Sequence, residues 1–276
     1  MTSKRLVFIF FLIALAAAAK VFLGGDGSLR QLKQAGVIRI GYAIEAPYAF
    51  VTDDGQVKGE APEIAEHVVH QLGIHRIDWR QMEFGELMDA LLAHRIDVIA
   101  SGMFITPERQ KQVLFSLPTL AVRAAMLVAR GNPKRVMSYQ DAKRPGVRVA
   151  VLDGATEAQR LRQMGVPAAN LVVVPDALTG RRAVEHGQAD VLLLSEPALG
   201  WMTKHDPSRR SEMLLPAPSD PDSEPYGQPA FAFRPDALTL QAAWNDALIP
   251  YLHSPEHRAL LVRLGMAGAA PLLDTR

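Results

Sequence analysis

Cysteine is absent from the 276-residue chain, which excludes disulfides, thiolate metal sites, cysteine catalysis and a lipid-modified N-terminal cysteine. An excess of one charge is also lacking, because 30 basic and 29 acidic residues leave a net charge of +1. The sequence therefore has no basic footprint for nucleic acid. No phosphate loop, G-x-S-x-G elbow or Rossmann glycine fingerprint occurs, and we expect no cofactor. The eight histidines include helical pairs without a third ligand at motif spacing, so we expect no metal site.

A long apolar run occurs at the N-terminus. Lys4 and Arg5 precede the run Leu6–Ala19, which ends in small residues, as in a secretory signal peptide with an A-x-A-like cleavage position. The run is short for a membrane span, but Val21-Phe22-Leu23 would lengthen it, so an uncleaved anchor is the alternative. We assign residues 1–28 to a signal peptide or N-terminal anchor plus linker. The rest of the chain is then expected in the periplasm, with membrane contact only through this segment if it stays uncleaved.

Strand-like and helix-like segments alternate in two successive series. The first series includes the apolar strands Val37–Tyr42 and Ile96–Ala100, separated by amphipathic helical segments. The second series runs from Val147 to Lys204 with the same alternation. Such alternation predicts parallel α/β sheets, whose binding sites lie at the carboxyl ends of the strands.

A final strand and two helices follow a stretch rich in Pro, Ser and Asp, Leu215 to Gln228, which we interpret as a crossing back to the first series. We therefore predict an α/β protein of two lobes joined by two chain crossings. Residues 29–120 and 225–276 would form lobe 1, and residues 121–224 would form lobe 2. The cleft between such lobes is a natural ligand site that closes by hinge motion.

The stretch Gly102–Gln110 concentrates the candidate chemistry. It follows an apolar strand and predicts a glycine turn and then a helix start, with Thr106 as the N-cap and Pro107 as the first helical residue. Arg109 then lies in the first turn, the unfavourable end of the helix dipole for a cation. An anion bound by free N–H groups and the guanidinium would offset this cost. The alternative is that Arg109 faces water or pairs with a nearby glutamate.

Short motifs that occur in one order along the chain carry a resemblance to a known family. They are Gly41-Tyr42, Glu45-Ala46-Pro47-Tyr48, Gly59-Glu60-Ala61-Pro62-Glu63-Ile64-Ala65, Arg95 to Met103, Thr106-Pro107-Glu108-Arg109 and Phe115-Ser116-Leu117-Pro118. From about Leu29 to Gly265 the chain resembles the bacterial family 3 extracellular solute-binding proteins, the polar-amino-acid-type receptors of ABC importers. A narrower likeness to ectoine/hydroxyectoine-binding proteins rests on the segment from Ile40 to Tyr48, on Glu83-Phe84-Gly85 and on the segment from Gly165 to Asp176.

This resemblance implies a non-catalytic, monomeric receptor with the two-lobed periplasmic-binding-protein fold (type II). Its partners would be a small zwitterionic ligand and an ABC transporter permease. In the family, the arginine of the T-x-E-R motif, here Arg109, clamps the ligand carboxylate. Backbone groups near Gly102, Met103 and Thr106 would share this task.

The ectoine-type subgroup holds the delocalised cationic end of its ligand with aromatic rings and one acidic residue. A diffuse cation suits such a cage because rings attract it without demanding a directed hydrogen bond. For each aromatic residue taken alone, ordinary core packing is the alternative. The matching positions here are Glu45, Tyr48, Phe84 and Phe104.

Lobe 2 is expected to close the site through the turn Gly154-Ala155-Thr156-Glu157, with Thr156 as a helix N-cap that presents N–H groups to the carboxylate. A purely structural cap is the alternative. Amino-acid receptors of the family usually carry an aspartate five positions after the one matching Asp190, and it binds the ligand α-ammonium. Here Ser195 occupies that position, which favours a betaine-like or cyclic amidine ligand. Glu196 follows it and can replace the carboxylate, so lysine- or arginine-like ligands stay open.

Two other functions remain as alternatives. A periplasmic dehydratase resembling cyclohexadienyl dehydratase would use the same fold, with Glu45 or Glu196 as a general acid or base if burial raised its pKa. An accessory or sensor domain held by an uncleaved N-terminal anchor is the third possibility.

Overall fold

The computed structural model describes residues 26–216 and 227–268. The predicted signal peptide or anchor, most of the predicted crossing from Leu215 to Gln228, and the last eight residues lie outside the described part. In the described ranges, no helix is both long enough and apolar enough to span a bilayer.

Strands and helices alternate through most of the described chain. In order they are α1 (Ser28–Ala35), β1 (Val37–Tyr42), β2 (Phe50–Val51), β3 (Val57–Lys58), α2 (Glu60–Gln71), β4 (Arg76–Gln81), α3 (Leu87–Leu92), β5 (Val98–Phe104), α4 (Pro107–Gln110), β6 (Leu114–Phe115), β7 (Ala124–Ala129), β8 (Val149–Leu152), α5 (Thr156–Gln163), β9 (Leu171–Val174), α6 (Ala177–Glu185), β10 (Val191–Ser195), α7 (Glu196–Lys204), β11 (Ser211–Leu214), β12 (Pro229–Phe233), α8 (Leu238–Leu252) and α9 (Pro255–Arg263).

Two five-stranded sheets divide the molecule. Lobe 1 contains the sheet β4–β1–β5–β12–β6, in which β12 returns antiparallel to β5. Lobe 2 contains the sheet β11–β7–β10–β8–β9, in which β7 runs antiparallel to β10. The two crossings lie side by side, because Val122 and Gly227 exchange a pair of backbone hydrogen bonds of 2.8 and 2.7 Å. The sheets are thus mixed, with the parallel strands that the alternation predicted at their centres.

The two lobes repeat one strand order and one ion pair. Lobe 1 runs β4–β1–β5–β12 where lobe 2 runs β9–β8–β10–β7. In lobe 1 the Asp97 carboxylate accepts hydrogen bonds from the backbone N–H and the guanidinium of Arg39. In lobe 2 the Asp190 carboxylate accepts the equivalent bonds from Arg148. Each aspartate precedes the central strand of its sheet, so the clamp fixes where that strand starts.

The C-terminal strand is attached to lobe 1 by aromatic packing. Trp244 on α8 is fully buried, with its ring 4.9 Å from that of Phe231 and 5.4 Å from that of Phe233. Both phenylalanines belong to β12, which pairs with β5. Burial of three large rings together explains why the chain returns to the first sheet.

Two sequence-based expectations are corrected by the local structure, at Gly102 and at Thr156, and the helix start at Thr106 and Pro107 is confirmed. Gly102 does not form a turn after the strand, because β5 continues through it to Phe104 with Gly102 at φ +62°. Helix α4 has only four residues, although Thr106 caps it and Pro107 begins it as predicted. Thr156 is not an N-cap, because Ala155 occupies that position and Thr156 is already the first helical residue.

Candidate functional site

A closed cavity of about 30 Å³ lies between the lobes. This is room for about two water molecules. The lining residues lie at carboxyl ends of strands, in the loops that follow them, or in the helix starts beyond. Lobe 1 contributes Glu45, Tyr48, Phe84, Gly102, Phe104 and Arg109, and lobe 2 contributes Ala155, Thr156, Glu157, Leu194 and Ser195.

Arg109 extends from lobe 1 across the cavity to lobe 2. Its guanidinium donates to the Phe104 carbonyl at 2.7 Å in its own lobe and to the Gly154 carbonyl at 2.9 Å in the other. The guanidinium carbon also lies 5.7 Å from the centre of the Phe84 ring, within the range of a cation–π contact. These neutral partners leave the positive charge of Arg109 uncompensated by a hydrogen-bonded anion.

Burial lowers the pKa of Arg109 to about 10, and the nearby Glu157 carboxylate offsets part of that decrease. The guanidinium is therefore charged at neutral pH but poorly solvated, which is the state that attracts a carboxylate. The single turn of α4 has little macrodipole of its own. The cationic character of this wall thus comes from the side chain rather than from the helix start.

Three rings form the aromatic part of the cavity. Tyr48 is 2% exposed and Phe84 is 8% exposed, while Phe104 is half-buried. Glycine makes this packing possible, because a Cβ on Gly102 would lie 2.6 Å from Cγ of Tyr48. Another glycine, Gly227, gives the same clearance to the Phe104 ring, where a Cβ would lie 2.4 Å from Cε2.

Two carboxylates face the cavity from opposite lobes. Burial, reinforced by the charge of Glu157, raises the pKa of Glu45 to about 8. Burial also raises the pKa of Glu157, although its own backbone N–H and the charge of Arg109 oppose the increase. The closed arrangement therefore favours a shared proton or a cation between the lobes.

Ser195 and Thr156 provide hydroxyl groups from lobe 2. The Ser195 hydroxyl accepts a hydrogen bond from the Tyr48 hydroxyl at 3.0 Å across the lobes, and it caps α7 through the Ala198 N–H at 3.4 Å. The Thr156 hydroxyl donates to the Glu157 carboxylate at 3.3 Å. Both hydroxyls thus organise other side chains as well as lining the cavity.

The structure brings eight of the twelve sequence-predicted residues to the cavity wall. Of the other four, Met103 is buried among apolar side chains and Thr106 caps α4. Gly154 contributes its carbonyl to Arg109 without lining the cavity. Glu196 turns away from the cavity and binds Arg123 of its own lobe at 2.9 and 3.1 Å.

The sequence-predicted set omitted three lining residues, Ala155, Glu157 and Leu194. Glu157 carried a usable signal, because it is the last residue of the predicted closing turn and follows Thr156 directly. Leu194 carried none, because a leucine at the end of a buried strand has the same pattern as any core residue.

Several contacts between the lobes surround the cavity. The Phe50 and Trp201 rings lie 5.4 Å apart, one from each lobe. Gly85 and Gly154 meet so closely that a Cβ on Gly154 would lie 2.8 Å from the Gly85 Cα. The structure is therefore a closed conformation, in which ligand entry requires the lobes to separate.

Within the described residues, no group of three or more histidines, aspartates or glutamates is arranged to hold a metal ion. The chemistry of the cavity is that of one guanidinium, two carboxylates, three hydroxyls and three rings, one of the hydroxyls belonging to the Tyr48 ring. Such a site can bind a carboxylate at one end and a cation at the other.

Two mixed α/β lobes that enclose a small polar cavity define a solute-binding protein with the type II periplasmic-binding fold. The sequence profile of the bacterial extracellular solute-binding proteins, family 3, matches residues 38–261. The chain belongs to this family, as its motifs predicted, and is thus a solute-binding protein of the amino-acid ABC transporter type.

Three relatives illustrate the range of the family. The chain is 31% identical over 261 residues to a probable amino-acid ABC transporter periplasmic-binding protein, y4tE, from Sinorhizobium fredii (strain NBRC 101917 / NGR234), covering 91% of this chain and 86% of the relative. The crystal structure of EhuB in complex with hydroxyectoine has a TM-score of 0.79 and 30% sequence identity, covering 87% of this chain and 93% of EhuB. Cyclohexadienyl dehydratase from Pseudomonas aeruginosa is 25% identical over 250 residues, covering 90% of this chain and 88% of the enzyme.

Proposed function

We propose that the protein captures a small zwitterion in the periplasm and delivers it to an ABC importer. The zwitterion is an ectoine- or betaine-like solute or a polar amino acid. Its carboxylate would bind Arg109, and its cation would lie among Glu45, Tyr48, Phe84 and Phe104. The likeness to EhuB, whose structure contains hydroxyectoine, supports this class of ligand.

The geometry of Arg109 carries the proposal. A guanidinium that is largely removed from water and bonded to two neutral carbonyls is costly unless an anion joins it. A ligand carboxylate supplies that anion and touches both lobes through one side chain. Binding would then stabilise the closed conformation by contacts that the open form lacks.

Thermal-shift measurement on residues 29–276 with ectoine, hydroxyectoine, betaines and polar or basic amino acids tests the ligand class. Ligand at 100 times its dissociation constant adds about 2.7 kcal/mol to the free energy of unfolding, a clearly measurable shift. We expect at least one of these zwitterions to produce it. If none does, capture of small zwitterions is wrong.

Arg109→Ala tests the carboxylate clamp. We expect affinity to fall more than 100-fold, because the variant leaves the ligand carboxylate buried without its charged partner. Isothermal titration of the ligand found in the screen measures the loss. Circular dichroism and the melting temperature without ligand should stay close to those of wild type, because the two carbonyls bonded by Arg109 regain water when the lobes open. Retained affinity would contradict the clamp.

A dehydratase activity is the second candidate function. The carboxyl of Glu45, with a pKa of about 8, can hold a proton at neutral pH and serve as a general acid beside Arg109. The likeness to cyclohexadienyl dehydratase adds support. Incubation with prephenate and an assay for phenylpyruvate tests it, and Glu45→Gln should abolish any activity observed.

A further inference from the structure

The carboxylate that lobe 2 presents to the cavity comes from an unexpected element. At the position where relatives usually carry a ligand-binding aspartate, Ser195 is engaged with Tyr48 and with α7. Its neighbour Glu196 binds Arg123 outside the cavity. Within the described residues, Glu157, in the first turn of α5, is the lobe 2 carboxylate that lines the cavity.

The helix dipole does not account for the burial of Glu157. An acidic residue in a first turn is stabilised by the dipole whether or not it is exposed. Glu256 occupies the same second position in α9 and is exposed, whereas Glu157 is only 8% exposed. Withdrawal of a carboxylate from water is unfavourable unless donors satisfy its oxygens. The position of Glu157 at the start of a helix therefore does not explain why its carboxylate is buried against the cavity.

Among the described residues, few donors are directed at the carboxylate of Glu157. Glu157 accepts from the Thr156 hydroxyl and from its own backbone N–H, while a carboxylate has about four acceptor positions. In the described part of the chain, Arg109 forms no ion pair with either glutamate, since its guanidinium donates to carbonyls. With Glu45 opposite, the cavity wall holds two carboxyl groups and one guanidinium.

We propose that Glu157 is the lobe 2 anchor for the cationic end of the ligand. With Glu45, it selects a delocalised cation that bears N–H groups, an amidinium or a guanidinium, over a quaternary ammonium. A planar cation with N–H groups on two sides can donate to a carboxylate in each lobe while its faces contact the rings. A quaternary ammonium has no N–H group and would leave Glu157 desolvated without a donor. This inference rests on the proposed capture of a zwitterion.

Isothermal titration of ectoine, arginine and glycine betaine into the soluble protein, residues 29–276, tests the inference. We expect ectoine or arginine to bind more tightly than glycine betaine. Glu157→Gln should weaken the tighter ligand about 10- to 100-fold, the size of a lost charged hydrogen bond. The matched variant Glu256→Gln, at the same helix position but exposed, should bind within about twofold of wild type. Glu157→Asp, which keeps the charge with a shorter reach, should give an intermediate loss.

The possible outcomes separate this inference from the proposed function. If Glu157→Gln binds like wild type while Arg109→Ala does not bind, the anchor is wrong and the zwitterion receptor stands. A larger loss in Glu196→Gln than in Glu157→Gln, or tighter binding of glycine betaine than of both other ligands, also overturns the anchor. If none of the three ligands binds wild type, the anchor is wrong, whereas the zwitterion receptor is judged by the wider thermal-shift panel.

Discussion

The two lobes share an architecture but differ in what they bring to the cavity. Both have the same order of four strands, and both start their central strand with an arginine–aspartate clamp. Lobe 1 contributes a guanidinium, a carboxylate and all three rings, whereas lobe 2 contributes two hydroxyls, a carboxylate and two apolar side chains. The two lobes therefore share one fold, but lobe 1 has most of the groups that can bind a ligand, and lobe 2 has groups that can cover it.

Two contacts across the cavity show how lobe 2 is coupled to lobe 1. Arg109 reaches the Gly154 carbonyl, and the Tyr48 hydroxyl reaches Ser195. Each contact joins a lobe 1 side chain that faces the ligand position to a lobe 2 group at a helix start. Closure therefore adjusts the same residues that the ligand would touch, and this physically links binding to the conformation.

The largest difference between the lobes is expected in the stability of their clamps. Among the described residues, Asp97 holds Arg39 and also Arg234, which is only 13% exposed, whereas Asp190 holds Arg148 alone. Asp97→Asn should lower the free energy of unfolding by about 3 kcal/mol, because it removes the buried carboxylate partner of Arg234 and of Arg39. Asp190→Asn should lower it by about 1–2 kcal/mol. Chemical denaturation followed by circular dichroism measures both values.

An exposed aspartate provides the control for the clamp comparison. Asp236 also pairs with Arg234, but its side chain is 69% exposed, so Asp236→Asn should change stability by less than about 0.5 kcal/mol.

Burial raises the pKa of Asp97, but the hydrogen bonds from Arg39 lower it further, to a net value below the ordinary one. The stability from Asp97 is thus lost in acid, and the variant should approach wild type below about pH 4. Equal losses of stability in Asp97→Asn and Asp190→Asn would contradict the expected difference between the two clamps.

A smaller effect is expected from Gly102→Ala, which should weaken ligand affinity about tenfold. The new Cβ would overlap the Tyr48 ring, so the ring must move within the cavity wall of lobe 1. Gly73→Ala is the matched control, because Gly73 has a similar φ of +70° with nothing within 4 Å of a Cβ. Both variants carry the backbone strain, and only Gly102→Ala disturbs the ring. Similar ligand affinities in the two variants would show that Tyr48 does not contribute to ligand binding.

The fold was largely predictable because the strands carry strong local patterns. The bounds of β1 agree with the predicted segment Val37–Tyr42 residue for residue. The two-residue strand β6 and the four-residue strand β11 were not predicted, because such short segments have no measurable periodicity. Their position depends on pairing with strands distant in the chain, which a local pattern does not encode.

The cavity was predictable on the side where ligand groups follow strand ends and family motifs. Glu45, Tyr48 and Arg109 could be placed in this way, and the structure brings them together. In lobe 2, Glu196 turns away from the cavity and binds Arg123. Arg123 lies 73 positions before Glu196 in the sequence, and no periodicity signals that pairing. The identity of the lobe 2 carboxylate therefore required the three-dimensional structure.

The smallest expected effect is that of pH on the equilibrium between the open and closed forms when no ligand is bound. In the closed form burial, and then the charge of Glu157, raise the pKa of Glu45 to about 8, while exposure to water on opening restores its ordinary value near 4.5. Between these values the closed form binds more protons, so closure weakens as pH rises from about 4.5 to 8. Glu157 acts in the same direction, whereas Arg109, with a pKa of about 10, stays charged throughout.

Small-angle scattering without ligand should therefore show a smaller radius of gyration at pH 5.5 than at pH 8. We expect the closed-to-open ratio to change a few-fold, less than the tenfold per pH unit that one fully coupled proton allows. Glu45→Gln removes the titrating group from the lobe 1 wall and should flatten this dependence, whereas Glu256→Gln should leave it unchanged. A radius that is independent of pH in wild type would mean that the two carboxylates do not oppose each other across the cavity, and that the lobes close without regard to their charge.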